Sequence, residues 1–198
     1  MKHLLYALLT AVSILFTSCG PSSNTNTPQE PNVPQPQPQP QPEVTQKVVI
    51  GYLALDDWEF ENLFPTIEWK YLTHINASFA RVKADGTLNI NPVRKRIESV
   101  RETAHKHNVK ILISLAKNSP GEFTTAINDP KARKELIQQI IAFTKEYKLD
   151  GFDIDYEEYD NWDKNFPSLL VFARGLYLAK EKNMLMTCAV NSRWLNYG

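Results

Sequence analysis

Leu149-Asp150-Gly151-Phe152-Asp153-Ile154-Asp155-Tyr156-Glu157 alternates acidic and apolar side chains through its second half. Read as a strand, with side chains on opposite faces in period two, it places Asp153, Asp155 and Glu157 on one face and Phe152, Ile154 and Tyr156 on the other. The apolar face suits packing against helices. A face of three carboxylates does not suit a core, because burying unpaired charge is costly. Neighbouring like charges repel, so at least one of these acids is expected to hold its proton above the ordinary carboxylate range. A strand ending in a protonatable carboxyl group beside ionised ones is suited to acid catalysis on a polar substrate.

The flanking sequence gives this strand a context. Residues 131–148 read as a helix, with Asp129 as N-cap and Pro130 at the first helical position. Leu136, Ile137, Ile140, Ile141 and Tyr147 form its apolar stripe. A helix feeding a short, mostly buried strand is the pattern of a parallel α/β sheet. In a closed sheet of that class the catalytic groups lie at the C-terminal strand ends, where Glu157 falls.

The same alternation runs along the chain. Strands are expected over 47–55, 71–82, 109–116 and 185–191. An irregular aromatic-rich connection occupies 56–69, and Asp85-Gly86 marks a turn. Asn91 is expected to cap a helix that starts at Pro92 and buries Val93, Ile97, Val100 and Ala104. A short helix follows Pro120-Gly121. The helix over 165–182 carries Leu169, Phe172, Ala173 and Leu176.

On these residues the chain resembles glycoside hydrolase family 18, which contains chitinases and endo-β-N-acetylglucosaminidases. Asp150, Gly151, Asp153, Asp155 and Glu157 match every fixed position of the family motif D-G-x-D-x-D-x-E. Val48-Val49-Ile50-Gly51-Tyr52, with Trp58 beyond it, is similar to the family's opening G-Y strand. Leu72-Thr73-His74-Ile75-Asn76-Ala77-Ser78-Phe79-Ala80 is similar to L-T-H-I-N-Y-A-F. The third strand departs, since Ser114-Leu115-Ala116-Lys117 keeps only the serine of S-x-G-G. The resemblance spans 47–198. It implies an α/β fold, a (β/α)8 TIM barrel, present here as about five of its eight strand–helix units. A complete barrel needs about 250 residues, so the barrel is expected to be incomplete and the chain as given inactive by itself.

The resemblance also implies a retaining, substrate-assisted cleavage of N-acetylglucosamine-containing glycans. Glu157 would be the general acid/base. Asp155 would orient the 2-acetamido group, and Asp153 would hold Asp155. Tyr52 and Phe79 would contact the sugar, with Asn191 and Trp194 beside them. No metal or organic cofactor is implied. Ser114 reads as structural, His74 as a core residue, and His105 and His107 as surface groups at a helix end. Glu158, Asp160 and Asp163 read as a solvated face.

Residues 1–18 read as a lipoprotein signal. Lys2 and His3 precede an apolar run too short to span a bilayer, and Thr17-Ser18-Cys19 resembles a lipobox, making Cys19 a site of lipid attachment. The expected location is the bacterial cell envelope, lipid-anchored, with the outer membrane favoured. Residues 19–46 read as a tether whose Pro-Gln repeat favours polyproline II, and its stretch 31–42 reaches roughly 37 Å when extended. Cys188 is then left without a disulfide partner and reads as a small buried hydrophobe. Lysine plus arginine equals aspartate plus glutamate, 22 against 22. This balance gives no general attraction to nucleic acid. Other readings compete with the glycosidase: a catalytically weak sugar-binding protein on the same scaffold, an inactive gene fragment, or a hydrolase holding a hard cation on its three acids.

Overall fold

The computed structural model describes residues 47–158 and 162–189, and of Trp162 and Asp163 the backbone alone. Cys19, Asn191 and Trp194, the proposed signal and the proposed tether lie outside the described residues. The strands are β1 (Ile50–Ala54), β2 (His74–Val82), β3 (Leu88–Asn89), β4 (Lys110–Lys117), β5 (Gly151–Ile154) and β6 (Leu185–Cys188). The helices are α1 (Phe60–Leu63), α2 (Asn91–Arg94), α3 (Ile97–Lys106), α4 (Glu122–Asn128), α5 (Pro130–Glu146) and α6 (Trp162–Ala179). Two 3-10 turns, Phe64–Thr66 and Trp69–Tyr71, fill the aromatic-rich connection.

Five strands run parallel in the order β1-β2-β4-β5-β6, and β3 pairs antiparallel with the end of β2. Each parallel step is made through a helical segment, as such crossovers require. This is the arrangement of about five strands of a (β/α)8 barrel. Short β3 is absent from the sequence reading. It forms because Gly86, at φ 85°, reverses the chain after Asp85, whose carboxylate accepts from the Thr87 backbone and hydroxyl.

Most expected elements are present but shorter. The strand expected over 149–157 ends at Ile154, and that expected over 71–82 begins at His74 because Trp69–Tyr71 coils into a 3-10 turn. Asn91 is the first helical residue rather than the cap. The helix expected after it is broken between α2 and α3, yet Val93, Ile97, Val100 and Ala104 are all buried. The break has a cause. The Arg96 guanidinium donates to the carbonyls of Leu55 at 2.5 Å and Asp57 at 3.0 Å, and it lies 4.3 Å from the Phe60 ring. Tying Arg96 to the β1–α1 connection draws its backbone out of helical register.

α5 starts as its sequence dictates: Asp129 Oδ1 accepts from the Ala132 amide at 2.7 Å, a cap worth about 1 kcal/mol. Phe123 on α4, Phe152 on β5 and Phe172 on α6 are fully buried. Each contributes roughly 1.5–3 kcal/mol by leaving water. Phe123 meets Phe172 edge-on at 5.7 Å, so α4 and α6 share one apolar layer over β5. Gly151 permits the next strand to approach: a Cβ there would lie 2.1 Å from the Leu185 carbonyl oxygen. The motif glycine is thus a packing requirement between β5 and β6.

Cys188 corrects the sequence reading. It is exposed, because it ends the outermost parallel strand, whose other side pairs with nothing among the described residues. Among the described residues, no helix is long and apolar enough to cross a membrane.

Candidate active site

β5 delivers the acids. Within it Phe152 and Ile154 face the helices, while Asp153 faces the other side of the sheet. The strand registers pair Ser114 with Asp153 and Asp153 with Thr187, so β4, β5 and β6 present one lateral row of polar side chains. Asp153 is buried, and three hydroxyls converge on it. Tyr52 Oη donates to its Oδ2 at 2.8 Å, Ser114 Oγ to the same oxygen at 2.7 Å, and Thr187 Oγ1 to Oδ1 at 2.6 Å. Short donors of this kind allow a carboxylate to stay buried. Burial, the hydrogen bond to Asp153 and the nearby acid charges push the Tyr52 phenol well up, so it remains a donor.

Asp155 lies just past the strand, half-buried. Its carboxyl is raised from the ordinary 3.8 to about 6. Burial is the largest cause, followed by Glu157 and then Asp153, while Lys117 and Arg81 oppose it. The expected proton-holding acid is therefore the middle one. Glu157 is exposed, and its carboxylate makes no hydrogen bond among the described residues. The row thus grades from a buried carboxylate held by three hydroxyls, through a half-buried one with a raised pKa, to an open one. All three sit at the C-terminal edge of the parallel sheet.

Tyr52 and Phe79, on adjacent β1 and β2, stand together with ring centroids 6.5 Å apart. The Arg81 guanidinium lies 4.9 Å from the Phe79 ring. Ser114 is structural as expected, but its role is specific, since it holds Asp153. His74 is half-buried at the first position of β2 and bonds Thr73 Oγ1 at 2.8 Å. His107 stacks on Trp69 at 5.5 Å.

His105 has a partner that its surface reading lacked. Its Nε2 lies 2.8 Å from Asp150 Oδ2. Burial raises the Asp150 carboxyl, but the Ile111 amide, His105 and Lys110 outweigh it and hold the group below the usual range. Asp150, the first acid of the motif, therefore braces the opposite end of β5 and takes no part in the acidic row.

Two contributors escaped sequence reasoning. Thr187 is an ordinary strand residue until the β5–β6 register is known. Glu158 is not a solvated group: its carboxylate accepts from the Gly121 amide, the Thr124 amide at 2.6 Å and Thr124 Oγ1 at 2.7 Å. A left-handed Gly121 (φ 82°) before a helix lacking a side-chain cap of its own is the signal that an outside carboxylate is needed. Asp160 lies outside the described residues. Among those residues, no group of three or more His, Cys, Asp or Glu is placed to hold a metal ion.

The sequence profile of Glycosyl hydrolases family 18 matches residues 48–194. A chitinase from Bacteroides thetaiotaomicron of known crystal structure is 98% identical, with a TM-score of 0.75, over 78% of this chain and 50% of that one. A family GH18 chitinase from Cycas revoluta, solved in complex with (GlcNAc)3, shares the fold at 23% identity and TM-score 0.63, over 71% of this chain and 45% of that one. Chitinase B from Serratia marcescens is 27% identical over 144 residues, which are 57% of this chain and 28% of that protein. The chain spans half or less of the length of these relatives.

Proposed function

The chain belongs to glycosyl hydrolase family 18, and from that membership we propose that it supplies the acidic strand of a glycosidase that cleaves β-linked N-acetylglucosamine glycans, chitin oligomers or N-glycan cores, with retention. The carrying observation is the graded row: buried Asp153 under three hydroxyls, Asp155 raised to about 6, and Glu157 open at the sheet edge. Substrate assistance is how family 18 enzymes are established to work. Carried over here, the substrate's own 2-acetamido oxygen attacks the anomeric carbon while Glu157 protonates the glycosidic oxygen. Asp155 orients the acetamido group and stabilises the oxazolinium cation. Asp153 fixes Asp155, and Glu157 then takes a proton from water as the ring reopens. Tyr52 and Phe79 border the sugar, and Asn191 and Trp194 are proposed to line the cleft beyond them.

The test is product stereochemistry. With chitotetraose, proton NMR is expected to show the β-anomer forming first, and the fully N-deacetylated tetramer is expected to resist cleavage for lack of an attacking acetamido group. Excess EDTA leaves the rate unchanged. Initial α-anomer, or equal cleavage of the deacetylated oligomer, overturns substrate assistance.

We further propose that Cys19 carries a lipid and that the tether over 19–46 holds the glycosidase away from a bacterial envelope membrane. Labelled fatty acid is expected on the parent chain and absent from Cys19→Ala. Equal label in both overturns the anchor.

A further inference from the structure

β5 ends at Ile154, and the last sheet bond of this stretch runs from the Asp155 amide to the Leu115 carbonyl at 3.0 Å. Tyr156, Glu157 and Glu158 follow with no ladder to fix them. Each is nevertheless tied to the segment 117–124. Tyr156 Oη lies 2.6 Å from Thr124 Oγ1, and its ring meets Phe123 edge-on at 5.4 Å. Lys117 Nζ donates to the Glu157 carbonyl at 3.1 Å. The Glu158 carboxylate accepts from Gly121 and Thr124.

Resting on the glycosidase reading, we propose that Lys117 and Glu158 are positioning residues that together clamp the Glu157 backbone and so set where its carboxyl meets the scissile bond. Both bonds are charge-assisted, and such bonds are roughly twice as strong as neutral ones. Glu158 meets a real demand, because Gly121 has no side chain with which to cap α4, and the Glu158 carboxylate takes the Gly121 and Thr124 amides instead. Lys117 is the last residue of β4, and its backbone is fixed by pairing with Val82. Its ammonium therefore reaches Glu157 from a rigid base. Lys117 stands where the family pattern has a glycine, so this half of the clamp belongs to this chain. One bond grips the carbonyl of Glu157 and the other grips the residue after it. Rotation of the Glu157 backbone would break one or both. Misplacing a reacting group by about 1 Å costs on the order of 10²-fold in rate.

The full 198-residue chain serves for the test, with Glu158→Ala, Glu158→Gln, Lys117→Met and Lys117→Arg. Hydrolysis of chitotetraose, whose leaving group needs the Glu157 proton, gives kcat and KM, and amide hydrogen exchange is followed over 155–158 and 111–115. Glu158→Ala and Lys117→Met are expected to lower kcat about 10- to 10²-fold with KM within about threefold. Exchange over 155–158 quickens while 111–115 is unchanged. Lys117→Arg and Glu158→Gln restore most of both. Unchanged kcat in both truncations overturns the clamp, as does a loss accompanied by equal loosening of 111–115. If the 198-residue parent, with about five of the eight barrel units, hydrolyses nothing, the rates are read in the same variants with the missing units supplied, where an inactive parent overturns the glycosidase reading. In the chain itself, unchanged exchange over 155–158 overturns the clamp.

Discussion

With the barrel completed by the missing strand–helix units, Glu157→Gln is expected to lower chitotetraose hydrolysis by about 10²- to 10⁴-fold, the contribution of positioned proton transfer, with oligomer affinity close to that of the parent. Glutamine matches glutamate in shape, so the backbone contact from Lys117 to the residue-157 carbonyl survives. What disappears is the transferable proton. Asp153 cannot substitute, being buried and saturated by the Tyr52, Ser114 and Thr187 hydroxyls. Asp155 is less buried, but on the proposed mechanism it is committed to the acetamido group. Leaving groups that need no proton, such as 4-nitrophenolate, are therefore expected to lose less rate than natural oligomers. Calorimetric titration of the oligomer and parallel rate measurements check both halves. Near-normal turnover of an unactivated glycan would remove Glu157 from the mechanism.

Legibility in the sequence followed the range of the interactions. The α5–β5 unit could be read because its determinants are local: the Asp129 cap, the apolar stripe, then alternation. The apolar face of that alternation, Phe152, Ile154 and Tyr156, is buried as read, but Asp153 on the acid face is buried too, and hydrogen-bonded pairing stops at Ile154. Alternation reports which way side chains point and says nothing of where a ladder ends. The broken α2–α3 helix was illegible for the opposite reason. Its periodicity is continuous, and the break depends on Arg96 reaching carbonyls 41 and 39 residues away. Thr187 and Glu158 share that property, since each matters through partners 34 to 37 residues distant. The acids themselves carry a local pattern; the groups that hold them do not.

In the same completed barrel, Asp155→Asn is expected to lower the rate by roughly 10²-fold, the typical loss when one electrostatic stabiliser of a developing charge is removed. Here the developing charge is the oxazolinium cation, and asparagine supplies a dipole where the parent supplies a charge. The parent's rate should fall as pH drops through about 6, where Asp155 takes up its proton, and the variant should lack that inflection. Because the three acids are coupled, the inflection belongs to the set, but it requires Asp155 as a member. Stability should move the other way. The folded-state carboxyl is raised above its unfolded value, so the folded chain binds the proton more tightly. The stabilisation is fully present below about 3.8 and is lost as pH rises through about 6. Asparagine cannot ionise and escapes that loss. The variant should therefore melt above the parent at about pH 7.5, with the difference closing toward about pH 4. Burial and the repulsion from Glu157 and Asp153 are the strain relieved. A site that gives up stability at working pH to keep a charge next to the reacting sugar gains stability when that charge is removed. Thermal melts and rate profiles over this range supply the check. A variant with the parent's pH inflection, or with a melting difference independent of pH, would show that Asp155 is not the group that titrates.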